Sequence, residues 1–257
     1  MSDALYLGDP ARLAVAAVGQ PLTLDGDEGR HAATVKRTRA GETILVSDGL
    51  GRAARLRVTE VAGNTVTGEV IEVVVADAPR HTWRVVQALA KGDRSDLSVE
   101  LLTEVGVHHL TAWQSQRTIV KWDNKADRGL AKWRSTAREA AKQSRRSWVP
   151  QVHDQVVTTK SLVAHLAAVG GAGEGGLVLV AHEEATTPIS EVVLPPSGPV
   201  TVLVGPEGGI SPDELAMLVE AGAQPVLVSD GVLRASTAGA VALVQLQLLA
   251  DLQAAGE

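Results

Sequence analysis

The stretch Gly205-Pro206-Glu207-Gly208-Gly209 has the composition of a ligand-binding loop. Its three glycines permit positive φ angles and let a ligand approach backbone N–H and C=O groups closely. The stretch has neither the Gly-Lys-Ser/Thr ending of a Walker loop nor the G-x-G-x-x-G order of a dinucleotide fingerprint. A loop for a nucleotide-like ligand and a plain connection between a strand and a helix both fit these residues.

The residues on either side predict the two elements that hold this loop. Val200 to Val204 is a β-branched run, which is typical of a buried strand. Ser211 is placed as a helix N-cap, Pro212 as the first helical residue and Glu214 as the partner in a capping box. The sequence therefore predicts a strand, a glycine turn and a helix in that order.

Residues from about 80 onward predict a parallel α/β sheet, because strand-like and helix-like segments alternate. Strands are expected near Trp83, His109, Leu177, Val200 and Pro225, helices near Asp96, Lys125, Ser161, Pro212 and Thr237, and a glycine-rich loop over 170–176. Ligands bind such sheets outside the carboxyl ends of the strands. Three of these ends carry distinctive residues, namely Ala181-His182-Glu183, Gly205 to Gly209 and Ser229 to Arg234.

The first 76 residues consist mainly of short apolar runs separated by turn residues, which is the pattern of a small β-barrel. One helix-like segment, Glu28 to Arg37, interrupts the runs and ends in a basic cluster of Lys36, Arg37 and Arg39. Asp77-Ala78-Pro79-Arg80 reads as a linker. We therefore expect two domains, 1–76 and 80–257.

The composition excludes several classes of function. The 257 residues include no Cys, so disulfides, thiolate metal sites and a Cys nucleophile are ruled out. The seven His residues show no close metal-ligand spacing, so no metal is expected. No run has the length of a membrane span and the start has no signal pattern, so we expect a cytoplasmic protein without a membrane partner.

Charge is distributed unevenly along the chain, whose net charge is −6. Residues 80–146 carry 14 Lys and Arg against 7 Asp and Glu, whereas residues 147–257 carry 2 against 12. All five Trp residues lie between Trp83 and Trp148. A basic segment that contains tryptophans suits a polyanion such as RNA, and a solvated helix face above core tryptophans is the alternative.

Six segments in order resemble one known family. They are Ala88-Leu-Ala-Lys-Gly-Asp-Arg94, Thr103-Glu-Val-Gly106, Gln116-Arg-Thr-Ile-Val-Lys121, Glu139-Ala-Ala-Lys-Gln-Ser-Arg145, Val204-Gly-Pro-Glu-Gly-Gly-Ile-Ser211 and Val232-Leu-Arg-Ala-Ser-Thr-Ala238. Together they resemble the RsmE family of 16S ribosomal RNA uridine-N3 methyltransferases, over nearly the whole chain.

The resemblance implies a PUA-like β-barrel that binds RNA, followed by a SPOUT domain whose parallel sheet ends in a deep trefoil knot. It implies S-adenosylmethionine as cofactor, a homodimer formed through the knot region, and 16S rRNA of the small ribosomal subunit as partner. The product would be N3-methyluridine at the position usually numbered 1498.

Carried over to this sequence, the family's cofactor loops fall on the three marked strand ends. The implied cofactor-binding residues are Val180, Ala181, His182, Leu203, Val204, Gly205, Pro206, Glu207, Gly208, Gly209, Leu227, Val228, Ser229, Val232, Leu233 and Ser236. The sequence departs from the family pattern in the third loop, where Ser229 stands for an expected Gly and Gly231 for a frequent Arg. These departures predict a loop of different shape.

The chemistry implied requires either a base that removes the N3 proton of uridine or a cation that stabilises the N3 anion and its flanking carbonyl oxygens. Arg234, in the third loop, is the candidate for stabilising the N3 anion, although it could instead brace the fold by pairing with Glu207 or Glu183. Glu207 is the second catalytic candidate, as a proton acceptor, with loop capping as its alternative; His182 ranks below both. The candidate RNA-binding residues are Lys36, Arg37, Arg39, Lys91, Arg94, Arg117, Lys121, Lys142, Arg145 and Arg146.

Two other functions fit the same sequence features. A sister SPOUT enzyme would methylate a ribose 2′-hydroxyl or another base with the same cofactor loops. A non-catalytic RNA-binding or ribosome-assembly factor would keep the fold with a degenerate cofactor site, which the departures at Ser229 and Gly231 leave open.

Overall fold

A computed structural model describes residues 3–169 and 176–255. They form two compact units, of which the first comprises Met1–Ala78 and Glu139–Val149 and the second comprises Pro79–Arg138 and Pro150–Glu257. In chain order the elements are β1 (Ala4–Leu7), α1 (Pro10–Ala14), β2 (Pro21–Leu24), α2 (Gly26–Arg30), β3 (Thr43–Ser47), β4 (Arg52–Ala62), β5 (Thr65–Val75), β6 (His81–Ala88), α3 (Arg94–Glu104), β7 (His109–Gln114), α4 (Ala126–Ser144), β8 (Gln151–Val152), β9 (Val157–Thr158), α5 (Thr159–Val169), β10 (Leu177–Ala181), β11 (Gly198–Val204), α6 (Pro212–Glu220), β12 (Gln224–Val226) and α7 (Ala235–Ala255).

The first unit is built on a five-stranded sheet in the order β1-β3-β4-β5-β2. β1 pairs with β3 in parallel, and the other neighbours are antiparallel. Its core is aliphatic around Tyr6, Leu13 and Leu56. Among the described residues no strand pairing joins β1 to β2, so closure into a barrel stays a prediction.

The helix expected from Glu28 to Arg37 takes a mixed form. It begins earlier, as α2, and continues through a π-helical turn at His31–Val35. Arg37 follows with φ 54°, a left-handed conformation that non-glycine residues rarely adopt. The helix therefore ends within the basic cluster that the sequence places at this point.

The segment 139–149 differs from the expected division, which assigned it to the second domain. It packs with the first unit, where the Ser47 hydroxyl donates to the Ser147 carbonyl at 3.1 Å. Gly51 accommodates the Trp148 ring, because a Cβ at that glycine would lie 2.3 Å from a ring carbon. These contacts are non-local in sequence, so the helical pattern over 125–143 could not indicate them.

The second unit is the predicted parallel α/β sheet. Its strands follow the order β12-β10-β11-β6-β7-β8, with β9 also pairing to β7, and every pairing is parallel. Alternate residues of each strand face opposite sides. Side chains of α3, α4 and α7 pack with Val85 and Val202 on one side, and those of α5 and α6 pack with Val86 and Leu203 on the other.

The predicted helices and strands of this unit are present with boundaries shifted by a few residues. The glycine-rich loop expected over 170–176 lies, apart from Gly176, outside the described residues. Within the described ranges, α7 is the one helix whose length and apolar composition would suffice to cross a membrane, and 39% of its apolar window is buried in the fold.

Candidate active site

A cavity of about 680 Å³ lies at the carboxyl ends of β10, β11 and β12, entirely within the second unit. Parallel strands bring these three ends to one edge of the sheet, as the sequence predicts. The cavity is lined by residues of the loop after each strand, including Ala181 to Glu184, Val204 to Ile210, Leu227 to Ser229 and Gly231 to Ala235.

The glycine loop after β11 is a tight turn in which glycine is required at more than one position. Gly209 has φ 72°, and its N–H donates to the Pro206 carbonyl at 2.9 Å. A Cβ on Gly205 would lie 2.7 Å from Ile210 Cγ1, closer than packed side chains approach. The loop therefore exposes its backbone to the cavity instead of side chains.

The buried carboxylate of Glu214 anchors the glycine loop. Glu214 is 4% exposed and forms the predicted capping box with Ser211, with Pro212 at the start of α6. Its Oε1 also accepts the Gln116 N–H at 2.8 Å and the Thr159 hydroxyl. One side chain thus ties together α6, the loop after β7 and the first residue of α5.

The third loop is held by hydrogen bonds to two other segments. Leu227 N–H donates to the Thr187 carbonyl at 2.8 Å, and the Leu227 carbonyl accepts the Ile189 N–H at 2.9 Å. The Gln245 amide of α7 donates to the Val228 carbonyl at 3.0 Å. The loop after β12 is consequently fixed against the β10–β11 connection on one side and α7 on the other.

The two departures from the family pattern are accommodated in this loop. Among the described residues only Arg37 and Arg145 combine a side chain with positive φ, so Ser229 needs no left-handed backbone. Its hydroxyl accepts the Gly231 N–H at 3.3 Å, which closes a local turn. A Cβ at Gly231 would meet nothing within 4 Å. The loop therefore reaches the cavity with both residues in place.

Charged side chains of both signs line the cavity. Arg234 is exposed, and within the described part of the chain its guanidinium forms no ion pair with Glu207 or Glu183, so the bracing alternative has no contact to support it. One Glu207 oxygen lies 3.4 Å from the Lys91 N–H. His182 Nδ1 accepts the Glu184 N–H at 3.2 Å.

The structure gathers most of the predicted cofactor residues around one cavity. All of them line it except Val180, Leu203 and Ser236, which are buried beside it. Those three lie in β10, β11 and α7, where alternate residues and the inward helix face turn toward the core. Glu183, which the sequence marks at the end of its strand, also lines the cavity, and lining residues that the sequence reasoning missed include Glu184, Leu215 and Ala238.

Of the predicted RNA-binding residues, those in the second unit include two that line the same cavity, Arg94 and Arg117. The Arg117 guanidinium donates to the Gly208 carbonyl at 3.2 Å, so it also supports the glycine loop. This contact joins segments 91 positions apart in sequence. The charge pattern alone therefore could not indicate it.

The predicted RNA-binding residues of the first unit differ in exposure. Lys36, Arg37 and Arg39 are exposed. The Lys142 side chain is only 9% exposed, and its Nζ lies 3.0 Å from carboxylate oxygens of both Glu28 and Glu139. Burial opposes protonation of Lys142, but the two carboxylates outweigh it and raise its pKa. Lys142 therefore has its charge compensated inside the unit.

No group of three or more metal-ligating side chains occurs within residues 3–169 and 176–255. The groups that face the cavity are three arginines (Arg94, Arg117 and Arg234), carboxylates and backbone, together with apolar side chains such as Leu227 and Leu233. This combination suits an organic ligand with an apolar ring at one end and polar groups at the other.

Family models of RNA methyltransferases match residues of both units. Residues 77–247 match the family model described as RNA methyltransferase domain, and residues 24–71 match the one described as RNA methyltransferase PUA domain. A ribosomal RNA small subunit methyltransferase E from Mycobacterium bovis is 45% identical over 226 residues, covering 88% of this chain and 85% of that protein. The Bacillus subtilis protein of the same name is 29% identical and covers 86% of this chain and 87% of that protein.

Solved structures agree. The Neisseria gonorrhoeae ribosomal RNA small subunit methyltransferase E, crystallised bound to S-adenosyl methionine, superposes with a TM-score of 0.82 at 26% identity, covering 96% of this chain and 98% of that chain. The sheet, the cavity and these matches define an RNA methyltransferase that carries a PUA domain. The chain belongs to the ribosomal RNA small subunit methyltransferase E family.

Proposed function

We propose that this chain transfers the methyl group of S-adenosylmethionine to N3 of one uridine in 16S rRNA of the small ribosomal subunit, at the position usually numbered 1498. The observation that carries the proposal is the convergence of three strand-end loops on a single cavity lined by backbone, apolar side chains and an unpaired Arg234. Membership of the family gives the reaction and its substrate.

The residues around the cavity fit S-adenosylmethionine. The volume of about 680 Å³ is typical of a site for a cofactor of that size. The lack of room for a Cβ at Gly205 and the exposed backbone of Gly208 suit close approach by amino-acid and ribose groups. Leu227, Val228 and Leu233 offer an apolar wall for adenine. When bound, the cofactor supplies an electrophilic methyl group on a sulfonium.

The chain's own residues must make uridine N3 a nucleophile. N3 carries a proton at neutral pH and lies on the pairing edge, so the base has to be unpaired before it can enter the cavity. Arg234 then stabilises the negative charge that develops on N3 and its flanking carbonyl oxygens. Its guanidinium is available for this role because no carboxylate of the described residues pairs with it.

Glu207 has two candidate roles that kinetics can separate. As a proton acceptor it would receive the N3 proton; as a loop-capping group it would hold the glycine loop through the Lys91 N–H, 3.4 Å away. Glu207→Gln should lower kcat with unchanged donor affinity in the first case. In the second case it should weaken donor binding and leave kcat near that of the wild type.

Each unit offers basic residues for phosphate contacts. The first unit contributes Lys36, Arg37 and Arg39 together with Arg145 and Arg146, and the second contributes Lys91, Arg94, Arg117 and Lys121. Burial lowers the pKa of Arg146. Phosphate contacts position RNA without reading its sequence, and binding that depends on them weakens steeply with salt.

A homodimer and a knotted SPOUT fold complete the proposal. α7 exposes Val244, Leu248 and Leu252 at 51%, 59% and 62%, which places three large apolar side chains on one helical stripe. A second copy of the chain is the partner that we propose for this stripe. Light scattering tests it: the wild type should have twice the mass of Leu248→Glu, and a monomeric wild type at micromolar concentration contradicts the dimer.

The backbone around the third loop supports the knot. The chain after β12 bonds to Thr187 and Ile189 of the preceding β10–β11 connection, and α7 then packs against the side of the sheet opposite α5 and α6. Hydrogen bonds between the chain after β12 and this earlier connection are what we expect if the chain threads through the connection to form a knot. We place the protein in the cytoplasm, where ribosomal subunits are assembled, with no metal in the reaction.

Product analysis tests the proposed function. Small subunits from cells that lack this gene are incubated with the chain and methyl-labelled S-adenosylmethionine, and the nucleosides of the digested RNA are identified by mass spectrometry. N3-methyluridine at one position is the expected result. A ribose-methylated product would assign the chain to the sister class of enzymes, and no product together with no donor binding would leave an RNA-binding protein.

A further inference from the structure

A second cavity, of about 550 Å³, lies toward the amino ends of the same strands, on the side of the sheet that α5 covers. It is lined by residues of β6, β7, β10 and β11, the segment 151–157 and the first turns of α5. It shares no lining residue with the cavity at the carboxyl ends. It is therefore a separate feature of the second unit.

The floor of this cavity is a row of polar side chains. The strand register places Thr201, Arg84, His109 and Gln151 side by side on four adjacent strands, β11, β6, β7 and β8. Interior strands of a parallel sheet are covered on both sides and usually carry apolar residues at such positions. The next row along the same side is indeed apolar, apart from Thr111. The position of these residues in a parallel sheet therefore does not explain why they are polar.

Arg84 is the unusual member of the row. It lies on an interior strand, and its Nε–H is buried with no hydrogen-bond partner among the described residues. No carboxylate of those residues forms an ion pair with it; Asp154, the one acidic residue among those that line the cavity, instead pairs with Arg134 at 2.8 Å. Native proteins seldom leave a buried donor on a charged group unpaired.

The neighbouring groups add hydrogen-bonding capacity without negative charge. Burial and the adjacent positive charge of Arg84 lower the pKa of His109, which favours the neutral form of its imidazole. Thr201 and Ser161 contribute hydroxyl groups, and Val86 and Leu162 contribute apolar surface. Apart from Asp154, whose carboxylate pairs with Arg134, the cavity thus combines the positive charge of Arg84, several neutral hydrogen-bonding groups and an apolar wall.

We propose that this cavity, with Arg84 and His109 at its floor, binds a small organic oxyanion, a carboxylate or a phosphate monoester with an apolar body. The planar guanidinium suits the paired oxygens of either group. The volume of about 550 Å³ exceeds what an inorganic ion needs and lies in the range of small-molecule sites. The apolar wall of Val86 and Leu162 would contact the apolar body of the ligand.

Calorimetric titration of the full chain tests the proposal with four probes: benzoate, phenyl phosphate, inorganic phosphate and the neutral benzyl alcohol. At least one of the aromatic anions should bind saturably and more tightly than inorganic phosphate, and benzyl alcohol should not bind. Benzoate binding alone would identify a carboxylate ligand, and phenyl phosphate binding alone a phosphate ester. Equal affinity for phenyl phosphate and inorganic phosphate would overturn the organic ligand.

Substitutions locate the site. Arg84→Gln should weaken binding of the aromatic anion by about tenfold to 100-fold, because a hydrogen-bonded charge is lost. Arg84→Lys keeps the charge but not the planar fork and should bind with intermediate affinity. The matched control Arg128→Gln removes an exposed arginine of the same unit that does not line the cavity, and should bind as the wild type does.

A second readout keeps the test valid if Arg84→Gln folds poorly. In the wild type, the NMR signals of the Arg84 Nε–H and the His109 ring should shift saturably with benzoate or phenyl phosphate. The proposal is overturned if neither signal moves with either probe up to about 10 mM, a concentration at which even millimolar sites are nearly saturated. It is equally overturned if a folded Arg84→Gln binds as the wild type does.

Discussion

The two ends of one parallel sheet carry cavities built in opposite ways. At the carboxyl ends the walls are loops, and Gly205 to Gly209 line the cavity. Toward the amino ends the walls are the strands themselves, and side chains such as Arg84 and His109 face the cavity. We propose the methyl donor as the ligand of the first cavity and a small organic oxyanion as the ligand of the second.

This difference shows where in the fold a ligand can be recognised by backbone groups and where by side chains. Strand-end loops are free to adopt tight turns, so they can offer N–H and C=O groups that a strand interior has already paired. A strand interior can offer only side chains, and a charged one is tolerated there when a ligand or partner neutralises it.

Removing the guanidinium of Arg234, in the cavity at the carboxyl ends of the strands, should nearly abolish methyl transfer. Arg234→Ala is expected to lower kcat by about 100-fold to 1,000-fold, the usual effect of losing one group that stabilises developing charge. Donor affinity should change little, because the role that we propose for Arg234 is on the RNA base. Single-turnover assays and calorimetry measure the two quantities. A near-normal rate would refute the catalytic role, and Arg84→Gln, at the other cavity, is the control expected to retain activity.

Removing the buried carboxylate below the glycine loop should destabilise the fold. Glu214→Gln weakens four hydrogen bonds in which Glu214 accepts, and we expect a loss of about 1–3 kcal/mol in the free energy of unfolding. Urea denaturation measures it. Glu220→Gln, at the exposed end of the same helix, should be neutral. Equal stability of the two variants would show that Glu214 does not anchor the loop.

Adding one methyl group to the glycine loop should weaken donor binding. Gly205→Ala places a Cβ 2.7 Å from Ile210 Cγ1, so the loop has to shift, and we expect about a tenfold loss of S-adenosylmethionine affinity. Gly231→Ala is the matched control, because it lines the same cavity and its Cβ meets nothing within 4 Å. Calorimetry measures the S-adenosylmethionine affinity of both variants. An equal loss of affinity in the two would contradict the steric explanation.

The smallest effect concerns the proton on His109. Burial and the charge of Arg84 both lower its pKa, so Arg84→Gln should raise that pKa toward 6.5 by removing the second cause. Binding of an anion should raise it as well, because negative charge stabilises the imidazolium. NMR titration of the ring protons checks both shifts. An unchanged or lower pKa of His109 in Arg84→Gln would contradict the proposed effect of the Arg84 charge.

The sequence predicts the carboxyl-end cavity well because its signals are local. The β-branched run, the glycine turn and the capping box of Ser211 and Glu214 lie within fifteen residues, and the structure confirms all three. The reach of Glu214 to Gln116 and Thr159 could not be predicted, since it depends on contacts across 98 and 55 positions. Local patterns carry no information about such contacts.

The cavity toward the amino ends of the strands could not be predicted from the sequence, for the same reason. Arg84 and Thr201 each stand alone among apolar neighbours, and only the register of β6 against β11 and β7 brings them beside His109. The packing of 139–149 with the first unit is a second case, because it rests on pairs such as Lys142 with Glu28. Strand register and unit boundaries are set by long-range packing, which periodicity does not encode.

A crystal structure of the chain grown with S-adenosylmethionine would test most directly the claim that the methyl donor binds at the carboxyl ends of the strands. We predict electron density for the cofactor between the loop Gly205 to Gly209 and the loop Leu227 to Leu233, within reach of Arg234. Cofactor density in the cavity of Arg84 and His109, with none between those two loops, would contradict it.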